Sequence, residues 1–413
     1  MTTRAKALIL HLTLSLLGSA VLICSKIQIE HTEIGKRIEM FAYDVLLWQL
    51  PSFEPENLPV VVVDISRKST GDQPTPRDFL ESLITAIADK NPRGIAVDID
   101  FSPKEDDWVT PGDPKFFNFC LDITRNKTPL FLGVGRAKAD PPDTWLGLLK
   151  YQELAAAIAI DKQDQRRIPV WIQSGGGTKP LKSMSVLLAE VYGEPLPTPP
   201  RGLGWLLKHD SEAQHEVRDR DSSFSYAERV VNYSKFEQIY HERLPTISPT
   251  SVDEFSDRFA NKLVIIGDPV NAADAVSIPG TQQVVGGVFV HANAVYTLVN
   301  EPFYEFKDSS RIAIDFLISL AIALVVGIIR WRNPEQPELS RKTQSRTVKA
   351  FVFSIIPAGI IFFYLTHVLW LDFLLVLFAL LLHPTVEDVL SATLKKLGAM
   401  KAKVQKTQLG GSS

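Results

Sequence analysis

Val60–Val61–Val62–Val63–Asp64 is the stretch that decides the fold of this 413-residue chain. Its four consecutive β-branched residues predict a strand that is buried on both faces, as in a parallel sheet. Apolar residues then recur at helical spacing over 77–90, and Asn91–Pro92 ends that helix because the residue before a proline disfavours helical backbone. Gly94–Ile95–Ala96–Val97–Asp98 is a second buried strand. This order and spacing predict a crossover unit with two parallel strands.

The same alternation of strands and helices continues to about residue 305. Two further apolar runs predict strands, namely Pro129–Val134 and Leu263–Asp268, and a later apolar run, Val284–His291, leads into a helix that begins near Ala292. Residues 140–225 are rich in proline, glycine and charge and are interpreted as long surface insertions, and Val230–Tyr233 predicts one more short strand. The fold class is therefore α/β, with a mostly parallel sheet flanked by helices in one domain over 27–305.

Acidic residues follow three of the predicted strands. Asp64, Asp98 and Asp268 stand at strand ends, and Asp100 follows closely behind Asp98. Ligands of open parallel sheets bind outside the carboxyl ends of the strands, and clustered carboxylates repel one another unless they are protonated, paired or bound to a cation. These residues therefore predict a site for a hard metal or a cationic ligand if the strands are neighbours. The alternative is that they cap the following elements or pair with basic residues, namely Arg77, Arg93 and Lys262.

Two further residues could belong to the same site. Asp274 lies in the loop after the fourth strand, and His291 precedes a helix, where a single histidine either binds a ligand or makes a structural hydrogen bond. We therefore predict that the ligand-binding residues are Asp64, Arg77, Asp98, Asp100, Asp268, Asp274 and His291.

Composition and motifs exclude several function classes. The net charge of -3 gives no reason to expect nucleic acid, and two cysteines are too few for a disulfide framework or a cysteine metal site. The chain has no GxxxxGK[ST] phosphate loop, no GxSxG nucleophile elbow and no HExxH motif. We expect no catalytic residue, no cofactor and no enzyme activity.

Apolar segments near both ends of the chain predict an integral membrane protein. Residues 1–26 are interpreted as an N-terminal anchor, since their apolar run of about 18 residues is nearer to the ~20 of a spanning helix than to the 7–15 of a signal peptide, which is the alternative. Residues 311–330 predict a second span, with Asp315 about one turn inside it. Residues 350–384 predict a hairpin of two spans broken near Trp370, and one long tilted helix is the alternative.

Basic residues beside these segments predict their orientation. The loop 331–349 and the tail 385–413 are both rich in lysine and arginine, which marks the cytoplasmic side. With one N-terminal and three C-terminal transmembrane helices, both termini lie in the cytoplasm and residues 27–305 lie outside it. The tail carries either a short coiled-coil seam, which would support a homodimer, or a basic amphipathic helix on the inner leaflet.

Several short motifs in the predicted domain are similar to those of a known family. They are Tyr43–Asp44, Val60–Ser66, Pro76–Arg77, Gly94–Phe101, Val231–Tyr233, Lys262–Gly267, and Asp274 followed by Gly287–Asn293. In this order and spacing the chain resembles the type-2 CHASE sensor domain, an extracytoplasmic sensory module of bacterial cyclases and kinases. The resemblance implies a sensor in the bacterial inner membrane, with a periplasmic domain that recognises a small molecule or a protein.

The resemblance departs from the family at the C-terminus. Related receptors continue into a cyclase or kinase, whereas about 30 residues follow the last predicted span here. We therefore expect a stand-alone sensor that relays its signal to a separate cytoplasmic protein. The two alternatives are a scaffolding subunit of an envelope assembly and an extracytoplasmic metal-dependent hydrolase that uses the aspartates.

Overall fold

The computed structural model describes most of the predicted domain and parts of both ends of the chain. The described residues are 58–68, 74–102, 110, 112–135, 145–146, 148–158, 165–174, 180–193, 202–208, 215–219, 222–244, 249–270, 274–279, 281, 283–300, 302–332 and 357–369, with positions 346, 350 and 354 and scattered positions between 13 and 44. The chain divides into two compact units. The larger comprises Leu46–Gly204 and Lys208–Tyr304, and the smaller comprises Met1–Val45, Trp205–Leu207 and Glu305–Ser413.

The described strands and helices alternate along the chain. The strands are β1 (Val60–Asp64), β2 (Gly94–Asp98), β3 (Leu130–Val134), β4 (Ala155–Ala157), β5 (Arg167–Ser174), β6 (Leu181–Lys182), β7 (His215–Asp219), β8 (Ser222–Val230), β9 (Leu263–Gly267), β10 (Ala275–Ser277), β11 (Val284–Gly286), β12 (Tyr304–Glu305) and β13 (Val368–Leu369). The α-helices are α1 (Arg77–Ala88), α2 (Asp113–Asn126), α3 (Met184–Val191), α4 (Phe236–His241), α5 (Ser256–Phe259), α6 (Val288–Asn300) and α7 (Asp308–Arg332), and short 3-10 helices occupy Leu149–Leu154, Gly204–Leu206 and Pro249–Phe255.

A five-stranded parallel sheet is the centre of the larger unit. Its strand order is β1-β9-β2-β3-β4, and every neighbouring pair is parallel. The predicted bounds of β1 and β2 are confirmed, and β3 and β9 are each one residue shorter than predicted. The sequence therefore predicted a mostly parallel sheet correctly.

Alternate residues of the central strands pack into two separate cores. Val60 and Val62 face a core formed with α3, α4 and α6, whereas Val61 and Val63 face a core formed with α1 and α2. Successive strand residues point to opposite faces of a sheet, so a continuous run of valines is needed when helices cover both faces. This three-layer arrangement leaves the carboxyl ends of the strands as the edge where loops and helices begin.

The prediction that residues 140–225 are surface insertions is wrong. This stretch contains β4 of the central sheet, the buried helix α3, and most of a four-stranded antiparallel sheet with the order β6-β5-β8-β7. In β5 the residues Ile168, Val170 and Ile172 are buried in alternation. Pro169 obscured this pattern because a proline argues against a central strand. The strand accommodates it at a register shift between Pro169 and Trp171.

Two element boundaries also differ from the predicted ones. The strand at 284 ends at Gly286, and α6 begins at Val288 instead of near Ala292. The predicted strand Val230–Tyr233 is the end of β8, which stops at Val230. Asn232 and Tyr233 are instead buried in non-strand backbone and hydrogen-bonded, the phenol of Tyr233 donating to the Gln165 carbonyl over 2.6 Å.

The smaller unit contains the helical residues 23–29, α7 and the helical residues 357–366. In the part of the chain that the structure describes, no helix combines the length and the apolar character required to cross a bilayer. The four predicted transmembrane helices therefore stay predictions. The tail 385–413 and most of the loop 331–349 and of the hairpin 350–384 lie outside the described residues.

Replacement of Gly133 tests how tightly the central sheet is packed. A Cβ atom at this position would lie 2.6 Å from the Ile99 carbonyl oxygen and 3.0 Å from the Ile158 side chain. Since backbone must move to relieve this contact, we expect Gly133→Ala to destabilise the protein by about 1–3 kcal/mol. At Gly112 the nearest atoms to a new Cβ lie 3.8 Å away, so Gly112→Ala is the matched control. Equal thermal unfolding midpoints for the two variants would contradict this packing.

Candidate functional site

The carboxyl ends of β1, β9 and β2 meet at one edge of the sheet. In the strand register, Asp64 of β1 and Asp98 of β2 both lie opposite Gly267 of β9. Asp268 follows Gly267 directly. The strands that carry these residues are neighbours, as the predicted site requires, because β9 lies between β1 and β2.

Three of the predicted acidic residues stabilise turns at this edge. Each side chain accepts hydrogen bonds from backbone N–H groups: Asp64 from Ser66 (2.8 Å), Asp100 from Ser102 and from Gly135 (both 2.9 Å), and Asp268 from Val270 (2.9 Å). Aspartate commonly binds backbone N–H groups two residues onward in turns. For these three residues the geometry favours the capping interpretation.

Asp98 has a different environment from the other strand-end aspartates. It is half-buried, and its pKa is raised to about 8, first by burial and second by repulsion from Asp274. Asp98 is therefore largely protonated at neutral pH. A protonated carboxyl can donate one hydrogen bond and accept others. Asp98 and Asp274 thus form a coupled acidic pair, brought together from 176 positions apart in the sequence.

Asp274 also contacts the beginning of α6. Its Oδ2 atom accepts a hydrogen bond from the backbone N–H of Gly287 over 2.9 Å. A Cβ at Gly287 would lie only 2.5 Å from the same Oδ2 atom. A Cβ at Gly267 would lie 2.8 Å from the side chain of Val288 and 3.2 Å from that of Asp98. Glycine at both positions therefore allows α6, β9 and the acidic pair to approach closely. Gly287 belongs to one of the motifs in the sequence, but the motif alone did not indicate that this glycine contacts Asp274.

Arg77 lies in a buried ion pair that the sequence did not predict. Its Nε donates to Asp113 Oδ1 over 2.6 Å, and its guanidinium carbon lies 4.7 Å from the ring centroid of Phe101. Burial alone would raise the pKa of Asp113, but hydrogen bonds from Arg77 and Thr110 outweigh it and lower the pKa. These contacts join the start of α1 to the start of α2. Asp113 could be recognised in the sequence only as an acidic residue in the first turn of a helix.

The other basic residues proposed as partners of the aspartates bind backbone carbonyls. Arg93 donates to Tyr192, and Lys262 donates to Leu58. Neither bond involves a strand-end aspartate. The charge on Asp274 is thus the neighbouring charge that acts most strongly on Asp98.

His291 is buried in the first turns of α6. Its Nδ1 lies 3.1 Å from the hydroxyl oxygen of Ser185, which belongs to α3. Burial lowers its pKa to about 4, although the backbone of Ile158 acts in the opposite direction. A neutral, buried histidine that links two helices fits the structural interpretation better than a ligand contact.

The acidic residues do not assemble a metal site in the described part of the chain. There, no three side chains of histidine, cysteine, aspartate or glutamate come close enough together to bind one ion. The pair of Asp98 and Asp274 instead combines a neutral carboxyl with a second acidic group. Such a pair can bind a cationic group, or a polar ligand that exchanges hydrogen bonds with both carboxyls.

Comparison with known proteins identifies one family. The family model of the CHASE2 domain matches residues 17–329. Searches of curated proteins and of solved structures gave no match. The matched region includes every residue of the acidic edge.

The unusual ionisation of Asp98 predicts a pH-dependent stability. The folded-state pKa of about 8 lies above the ordinary value of 3.8, so this group stabilises the fold fully below its unfolded pKa and loses that contribution as pH rises through 8. Asp98→Asn keeps the neutral form at every pH. We expect the free energy of unfolding of Asp98→Asn, relative to the wild type, to increase between about pH 5 and about pH 9.

Chemical denaturation of the full-length protein across this range measures the effect. Asp274→Asn provides a second variant, because removal of its charge should move the transition of Asp98 to lower pH while burial keeps the pKa raised. If the difference in free energy of unfolding between Asp98→Asn and the wild type stayed constant over this pH range, Asp98 would be ionised in the folded protein, which would contradict the prediction.

Proposed function

The chain belongs to the CHASE2 domain family, and we propose that it is a bacterial membrane sensor whose outer domain recognises a ligand at the acidic edge of its parallel sheet. The CHASE2 domain is a sensory domain, which supports a role in signal transduction. We further propose that the predicted helices anchor it in the inner membrane, and that it relays the signal to a separate cytoplasmic protein without catalysing a reaction itself.

The coupled pair of Asp98 and Asp274 is the observation that carries the ligand proposal. The other carboxylates at this edge satisfy backbone N–H groups of their own turns, whereas Asp98 is held neutral by burial and by a like charge. Strongly shifted groups of this kind often mark functional sites. A cationic or hydrogen-bonding ligand would relieve the repulsion, so its binding energy would favour one arrangement of the two carboxyls.

The contact from Asp274 to Gly287 supports a route for the signal. Gly287 directly precedes α6, and residues 288–298 of this helix are all buried. Packed helices shift as units because close-packed cores do not deform continuously. In sequence, α6 is followed within a few residues by α7, the predicted second span. Movement of Asp274 on ligand binding would therefore displace α6 and, through the short segment between the two helices, the start of α7.

The proposed alternatives differ in what they require of the acidic edge. The hydrolase alternative rested on a metal-binding aspartate cluster, which the described residues do not form. A scaffolding subunit would require no ligand at the acidic edge, whereas a sensor would require one. A ligand screen therefore distinguishes the two functions.

Ligand binding is tested on the full-length protein in lipid nanodiscs. Thermal unfolding is measured against divalent cations, nucleotides and cell-envelope metabolites, since binding to the folded state at 100 times Kd stabilises it by about 2.7 kcal/mol. We expect one class of compound to raise the midpoint for the wild type and for Asp253→Asn, a control whose side chain is 82% exposed. The shift should be lost in Asp98→Asn. No shift with any compound, or an equal shift in Asp98→Asn, would contradict a ligand site at Asp98.

Membrane orientation is tested with single cysteines in a Cys24→Ser background. Cys120 can remain, because it is buried and burial raises the pKa of its thiol, which suppresses reaction with maleimides. Leu149 is 83% exposed in the CHASE2 domain, and Arg346 is exposed in the basic loop. We expect an impermeant maleimide to label Leu149→Cys in cells with a permeabilised outer membrane, and to label Arg346→Cys only after the inner membrane is also opened. The opposite pattern would invert the proposed topology.

A further inference from the structure

Lys26 and Asp315 form a buried ion pair in the smaller unit. Lys26 Nζ contacts Asp315 Oδ2, and the two side chains are only 7% and 3% exposed. Lys26 lies in the helical residues 23–29, and Asp315 lies in α7. The two residues are 289 positions apart in the chain.

The energetics of this pair favour a positioning role over a stabilising one. Removing two charges from water is costly, and an apolar pair of similar volume is often equally or more stabilising. In general, loss of one member of a buried ion pair is much more damaging than replacement of both. Ionisable residues within membrane segments are rare, usually pair with one another and often have a functional role. A buried ion pair between two apolar segments fixes which faces of the segments meet.

The positions of the two residues give this contact a particular topology. The predicted outer domain begins after Lys26 and ends shortly before α7, so the ion pair joins the segment that enters the domain to the segment that leaves it. The matched CHASE2 region, residues 17–329, includes both partners. These two segments are the ones by which the chain enters and leaves residues 27–305.

We propose that the Lys26–Asp315 ion pair is a positioning clamp that holds the N-terminal segment and α7 at one fixed separation, so that both segments move together when the sensor domain responds. This inference rests on the proposed sensor function for its purpose, but its geometry is independent of any ligand. The clamp needs one positive and one negative side chain, but it does not matter which of the two positions carries which charge. Exchange of the two charges should therefore preserve the clamp, whereas removal of either should release it.

The clamp is tested by a distance measurement in the full-length protein in lipid nanodiscs. Spin labels are placed at Leu17→Cys and Leu317→Cys in a Cys24→Ser background, since Leu17 is 52% exposed and Leu317 is 61% exposed. Pulsed electron paramagnetic resonance then gives the distribution of distances between the labels. We expect one narrow distance with the native pair, a broad distribution for Lys26→Met, and a narrow distance again for Lys26→Asp combined with Asp315→Lys.

An apolar double variant separates positioning from stability. Lys26→Met with Asp315→Leu should retain or raise the thermal midpoint, yet we expect it to lose the single narrow distance. Lys127→Met is the matched control, because it removes an exposed ion pair with Asp89 in the domain and should leave the distance narrow.

Each outcome decides the proposal. A narrow distance in Lys26→Met or in the apolar double variant would overturn it, since packing alone would then position the segments. If Lys26→Met does not fold, the exchanged variant decides: a narrow distance supports the clamp, and a broad one overturns it. Failure of the ligand screen leaves these measurements unaffected, so the sensor function and the clamp can fail separately.

Discussion

The parallel pairing of β9 with both β1 and β2 is the interaction on which the rest of the domain depends. Leu263–Gly267 forms ladders with Val60–Asp64 on one side and with Gly94–Asp98 on the other. The residues of β9 are buried throughout, and they contribute alternately to the two cores. Without β9, β1 and β2 would have no common partner strand, and both cores would lose the side chains that β9 contributes to them. The order of the sheet thus requires a late segment of the chain to separate two early ones.

This arrangement also sets the chemistry of the acidic edge. Three strands with the same direction and register end at one level, which brings Asp64, Asp98 and Gly267 side by side. Most carboxylates at such an edge are stabilised by backbone N–H groups of their own turns. Asp98 is instead half-buried near a second acidic residue, and both burial and that charge raise its pKa. Its position follows from the sheet, and its raised pKa follows first from burial and second from the charge on Asp274.

The sequence predicted those elements whose signal is local and left out those that depend on distant contacts. The β-branched run of β1 and the short apolar run of β2 were sufficient to predict their bounds, because runs of this kind are typical of strands that are buried on both faces. The antiparallel sheet was missed since Pro169 interrupts a readable alternation in β5. The pairing of Asp98 with Asp274, and of Lys26 with Asp315, joins residues far apart in the chain. No spacing rule in a single sequence predicts such contacts.

The central position of β9 has a consequence for how the protein is made. Strands β1 and β2 emerge early during synthesis, but the strand that fills the space between them follows about 165 residues after β2. Contacts of such long sequence separation form slowly, because the loop must close before the pairing stabilises it. During that interval the facing edges of β1 and β2 expose unpaired N–H and C=O groups, which are templates for association with other chains. A nascent chain of this topology is therefore vulnerable to aggregation until Gly267 has been translated. Chaperones that shield open strand edges would be needed during the interval between the translation of β2 and that of β9.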